Sequence, residues 1–138
     1  MLAKMCPKIG EVYQIKFDGY GSVQKGWRPG VIIQNDIGNQ HSPNIIAIPL
    51  TSKVKCISQP THVYIPARET GLKVDSVALC ENPETLSKEM IGGFITKIPS
   101  QYMSRIARSF LFSMPLISFL DQDECINVWR KTSELVLN

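Results

Sequence analysis

Glu11-Val12-Tyr13-Gln14-Ile15-Lys16-Phe17 is the stretch whose reading decides the fold. Apolar and polar residues nearly alternate along it, with Tyr13, Ile15 and Phe17 on one face, the period of a half-buried strand rather than of a helix. Working outward, residues 18–29 hold three glycines and a proline and predict a long loop carrying Lys25 and Arg28 before the apolar run Val31–Ile33. Loops of that length in compact domains often carry function. Asn35–Pro43 reads as a second turn-rich stretch, and Ile45–Leu50 as a nearly continuous apolar strand buried on both faces, with Thr51-Ser52-Lys53 emerging from its end. Shorter strand-like pieces follow at His62–Ile65, Ser76–Cys80 and Gly92–Thr96, separated by Pro and Gly, as in small barrels.

After Pro99 the period changes. Met103, Ile106, Ala107, Phe110 and Leu111 fall at helical spacing and predict one helix packed on the sheet. Beyond Pro115, Asp121 with Glu124 three residues on resembles a capping box, and Cys125, Val128, Trp129 and Thr132 share a face, so a second helix docked on the core is expected. No linker-like or repeated segment divides the chain, which reads as a single domain, mainly β with C-terminal helices.

The 138 residues are 43% hydrophobic and 20% charged, an ordinary globular composition. The net charge of +3 is uneven: residues 1–60 carry seven Lys or Arg against three acids, the remainder eight against nine. An excess of cation in the first half fits a phosphate-bearing partner, though plain solvated surfaces show the same. Cys6, Cys56, Cys80 and Cys125 lie far apart with no C-x-x-C pair and no histidine at zinc-site offsets, so they read as buried thiols in a reducing compartment, and no metal is expected. Lys4 and Lys8 flank too few apolar residues for a signal peptide, which makes the cytoplasm the expected location. The longest apolar stretch, Ile106–Leu120, is broken by Arg108 and Pro115 and is shorter than the roughly 20 residues a membrane helix needs.

Several short motifs occur in one order: Gly10-Glu11-Val12-Tyr13, Gly21-Ser22, Gln24, Gly26, Arg28-Pro29, Val31-Ile32-Ile33-Gln34-Asn35-Asp36, Gly38-Asn39, Ser42-Pro43, Thr51-Ser52, Pro60-Thr61-His62-Val63, Gly71-Leu72 and Asp75-Ser76-Val77. Together they resemble the MazF/PemK toxins over roughly residues 9–113. The resemblance implies a CcdB/MazF-like fold, a small SH3-like barrel with a C-terminal helix. Residues 1–113 would be the toxin domain and 114–138 a helical extension of it. It further implies a homodimer, a cognate antitoxin, and sequence-specific cleavage of single-stranded RNA, leaving cyclic phosphate or 3′-phosphate and 5′-hydroxyl ends without cofactor or metal. The positions that match for catalysis are Arg28 and Thr51.

Those residue types suit the chemistry. RNA supplies its own nucleophile, so an enzyme must align the 2′-hydroxyl, accept its proton, stabilise the phosphorane and protonate the leaving 5′-oxygen. An arginine fork donates two hydrogen bonds to phosphate while staying charged, and a threonine hydroxyl donates one more. The plain alternatives are a loop cation pairing with Asp18 or Asp36 and a hydroxyl ending a strand. Ser22, Gln24, Lys25, Ser52, Lys53 and Lys55 are candidates to track the RNA, and Tyr20 and Trp27 to stack on a base. Two positions depart from the family: Val23 stands where many members have glutamate, leaving His62 as the one conventional base in the matching region, and Glu84 inverts the charge of a frequent arginine. Those departures keep a non-catalytic RNA-binding module open as an alternative, and the shared fold keeps open a CcdB-like gyrase poison.

Overall fold

In the computed structural model, which describes residues 6–19, 26–53 and 59–137 (only the backbone of 136 and 137), the alternating segment forms strand β1, Glu11–Phe17. It pairs antiparallel with β2, Gly26–Ile32, from Val12↔Val31 to Phe17↔Gly26. The connecting loop is therefore shorter than expected, and Trp27, Arg28 and Pro29 belong to a strand. Pro29 hid this, yet pairing of β2 with the next strand begins only at Gly30, so the proline has one neighbour strand, where its missing N–H is tolerated.

The apolar run forms β3, Asn44–Thr51, followed by β4, His62–Ile65, and β5, Ser76–Leu79. Two further strands are β6, Glu84–Ser87, and β7, Ile91–Lys97. The sheet runs β4-β5-β3-β2-β1-β7, with β6 also on β3. Register shifts between β1 and β7 curl it, but β4 and β7 stand at its two ends, so the expected small barrel is a curled, open sheet.

Both faces of this sheet are apolar, which is why β3 reads as continuously hydrophobic. One face carries Val12, Val31, Ile48, Leu50 and Val63 against Tyr102 and Ile106 of helix α3, Ser100–Ser113. The other gathers Tyr13, Ile15, Phe17, Ile32, Ile45 and Ala47 inside the curl. Two short helices were not expected. In α1, Asp36–His41, the Asn35 side chain caps by accepting from the Gly38 amide at 2.8 Å, and Asn39 is fully buried. In α2, Ala67–Thr70, Gly71 closes the helix at φ +79°, a conformation that favours glycine, and Glu69 accepts a hydrogen bond from the Tyr102 hydroxyl.

The last helix, α4, spans Gln122–Leu137 and starts on the expected capping box: the Glu124 amide donates to Asp121 at 2.8 Å and the Asp121 amide to Glu124 at 3.1 Å. Its expected docking on the core is overturned. Trp129 is 68% exposed, Val128 is exposed too, and none of the described α4 side chains is buried. The thiols need correcting as well: Cys80 is buried, but Cys6 is exposed and Cys125 half-buried, while Cys56 lies outside the described residues. Among the described residues no helix is long and apolar enough to cross a membrane.

Candidate active site

Strand alternation puts the two residues singled out for catalysis on one face of the sheet. β2 and β3 pair as Gly30↔Pro49, Val31↔Ile48 and Ile32↔Ala47; Arg28 and Thr51 each lie two residues beyond the end of that ladder and are not themselves a pair. Paired residues share a face, so Arg28 lies on the inner face with Ile15, its partner on β1, and alternation along β3 from Ile45 and Ala47 puts Thr51 on that face too. Gly30 keeps the approach clear: a Cβ there would meet Phe17 Cζ at 2.7 Å and Ile15 Cδ1 at 2.9 Å.

The Arg28 guanidinium is half-buried at the rim of this apolar cluster, and burial lowers its pKa from the ordinary arginine value. It stays protonated at any pH at which the protein folds. A partly desolvated cation attracts phosphate more strongly than one in bulk water, because the local dielectric is lower. Thr51 is buried at the end of β3, and its Oγ1 accepts the Lys53 amide at 3.2 Å. With that lone pair engaged, the hydroxyl proton is directed elsewhere, as a donor to an anionic oxygen requires. Ser52 and Lys53 follow, both exposed.

His62 lies on the same face across β5: Thr51 pairs with Val77, Val77 with Tyr64, and His62 stands two residues before Tyr64. Two inter-strand spacings put it about 10 Å from the Thr51 strand. Its Nε2 lies 2.8 Å from Glu81 Oε1, with side chains 16% and 32% exposed, an ion pair whenever the ring is protonated. Tyr64, unremarked in the sequence, is the exposed aromatic of that row, its hydroxyl bonded to Asp75, which holds the phenol pKa above its ordinary value.

Trp27 goes the other way. Consecutive strand residues point to opposite faces, and Trp27 packs over Gly92 of β7, whose Cβ would meet Trp27 Cζ3 at 3.0 Å. It is thus on the face opposite to Arg28. Glu84 opens β6 opposite Ala47, on the same face as Arg28. Among the described residues no donor reaches the buried Oε2 of Glu84 or of Glu81. Tyr20, Ser22, Val23, Gln24, Lys25 and Lys55 lie outside the described residues, so the structure places none of them. Among the described residues no three His, Cys, Asp or Glu side chains gather as a metal site.

Known proteins carry the same arrangement of elements. The chain is 37% identical over 116 residues, 83% of its length and 100% of the relative's, to the protein named Endoribonuclease EndoA of Bacillus subtilis strain 168. It superposes on MazF of Deinococcus radiodurans with a TM-score of 0.70 at 19% identity, covering 82% of this chain and all of the other. A mycobacterial endoribonuclease solved with its cognate antitoxin matches at a TM-score of 0.63 and 26% identity, over 80% of this chain and 96% of that one. Residues 8–113 match the model of one family, which spans every described strand and the α3 helix. With Arg28 and Thr51 on one face of the sheet inside that span, the chain belongs to the PemK-like, MazF-like toxins of type II toxin–antitoxin systems.

Proposed function

We propose that this protein is a sequence-specific endoribonuclease that cuts single-stranded RNA such as mRNA, in the manner of the related EndoA, and is held in check by an antitoxin protein. The observation that supports the reading is that a partly desolvated Arg28 and the buried Thr51 hydroxyl lie on one sheet face.

Arg28 grips the scissile phosphate and stabilises the charge that grows on its nonbridging oxygens as the 2′-hydroxyl attacks. Thr51 donates to the same group. Oxygen–phosphorus bond formation at the 2′ position expels the 5′-oxygen, which takes a proton, leaving a cyclic phosphate. The attack needs no external nucleophile and no covalent enzyme intermediate, so metal and cofactor are not called for. Because no carboxylate stands at Val23, the proton passes to another acceptor, and His62, oriented by Glu81, is the conventional base on this face. Ser52 and Lys53, exposed beside Thr51, guide the backbone, together with Ser22, Gln24, Lys25 and Lys55, while Tyr20 stacks on a base. Trp27, packed over Gly92 on the opposite face, is no part of this binding surface within one chain. The working unit is a homodimer in the cytoplasm.

The test is incubation of purified protein with long mixed-sequence RNA in excess EDTA, with every new 5′ end mapped and Arg28→Ala run in parallel. Cuts at a recurring short motif, reduced about 10²–10³-fold in the variant, are expected. Intact RNA with saturable binding indifferent to Arg28 would instead establish a binding module, and trapped gyrase–DNA complexes a gyrase poison.

A further inference from the structure

The exposed apolar side chains are concentrated in the last quarter of the chain. Phe112, Phe119 and Trp129 are 64%, 84% and 68% exposed. Aromatic side chains present about 150–250 Å² each, so these three leave on the order of 400 Å² in water. Leu116, Ile117, Ile126, Val128 and Leu135, each roughly half exposed or more, raise the total to roughly the 800 Å² that each partner buries in a standard interface. The largest apolar patch on a monomer is about 300–600 Å². Thr132 and Leu135 of α4 face the chain's own α3, but Ile126, Val128 and Trp129 stay in water, and a helix of 16 residues with most of its apolar side chains wet is marginal, so α4 needs a further cover.

The same chain offers a receiving surface. A second stripe of α3, with Met103, Ala107 and Phe110, borders two open clefts of about 840 and 700 Å³, the smaller floored by Ile33 and Ile46. Leu135 borders both and Thr132 the smaller, so the chain's own α4 roofs them without filling them. Charge agrees with docking between copies: α3 carries Arg105 and Arg108 and no acid, whereas the start of α4 carries Asp121, Asp123 and Glu124. Among the described residues no salt bridge joins the two groups.

We propose that residues 114–137 form a self-association arm, α4 of one copy docking along α3 of a second copy and the reverse. Helix and cleft on one chain make the contact self-complementary, so a two-fold axis closes it. The arm lies outside the residues 8–113 that match the family, the α3 surface that receives it lies inside them, and the contact does not rest on the ribonuclease reading.

Sedimentation velocity of the full chain over a concentration series, without RNA, tests it. Trp129→Glu and, separately, Phe119→Glu are expected to raise the dissociation constant of one association step at least tenfold, whether that step is monomer to dimer or dimer to tetramer. Val74→Glu, which charges another exposed apolar residue on a different surface, is expected to leave it unchanged. Arg108→Glu, a solvent-exposed change that spares the fold, is expected to weaken the step severalfold. Unaltered association in the Trp129, Phe119 and Arg108 variants would overturn the proposal, as would a wild-type chain that stays monomeric throughout.

Discussion

Gly30 has no chemistry of its own, yet it sets the position of Arg28 two residues before it. Its missing side chain is where Phe17 and Ile15 close over β2. Gly30→Ala is expected to cost about 1–3 kcal/mol by overpacking, read as a lower urea midpoint, and to depress RNA cleavage because β2 must shift. At Thr51 the hydroxyl is separable from the methyl: Thr51→Val is expected to lose about 10²–10³-fold in cleavage rate while Thr51→Ser keeps most of it, in single-turnover assays. Cys80 behaves differently, since burial pushes its thiol from 9.0 up to about 12. A folded-state pKa raised in this way gives stability that is present below pH 9 and lost as pH climbs toward 12, the unfolded thiol ionising first. Iodoacetamide near pH 8 is therefore expected to label exposed Cys6 and to reach Cys80 only on unfolding, as peptide mass mapping would show. Arg28 and Thr51 were legible as a pair only through the motifs around them, because nothing in local spacing joins residues 23 positions apart. Trp27 was misassigned to a loop since Gly26 and Pro29 flank it; once it is in a strand, alternation alone turns it away from Arg28.

Among the elements, those with a clean period were readable and those held by tertiary contacts were not. β1, β4 and α3 follow their hydrophobic patterns, with β4 at His62–Ile65 as expected. Helix α1 escaped notice because six residues containing Gly38 carry no helical signal; it exists through its Asn35 cap and through Asn39. The Asn39 amide donates to the Gln34 carbonyl at 2.8 Å and accepts from Gln34 Nε2 at 3.1 Å. Asn39→Ala leaves those buried groups unmatched and is expected to cost about 1–3 kcal/mol in equilibrium unfolding. Strand β6 was hidden behind Pro83, and its backbone pairing with β3 supplies what its sequence does not announce. The capping box of α4 was read directly from Asp121 and Glu124, but capping settles where a helix starts, not what covers it.

At the scale of the molecule, the fold class followed from many short strands and a late change to helical period, whereas the strand order did not. The chain passes from β3 to β4 and only then lays β5 between them, a crossover that no local pattern encodes. The sheet divides two apolar clusters, and among the described residues α3 seals the first of them. Ile106 is the α3 residue most deeply set in that cluster, so Ile106→Ala is expected to cost about 2–5 kcal/mol, seen as a large fall in thermal midpoint.

The first strand is gripped on both sides, by β2 within its first neighbours in sequence and by β7 near residue 97. A ribosome making this protein thus releases Arg28 and Thr51 long before the strand that completes the sheet behind them. Until Ile91 and Phe94 arrive against Ile15 and Tyr13, one edge of β1 stays bare, and Thr51 gains its β5 neighbour Val77 only late in that interval. Assembly of the site is in this way tied to near-completion of the polypeptide, and fragments from interrupted translation lack the framework that holds the arginine and the threonine on one face.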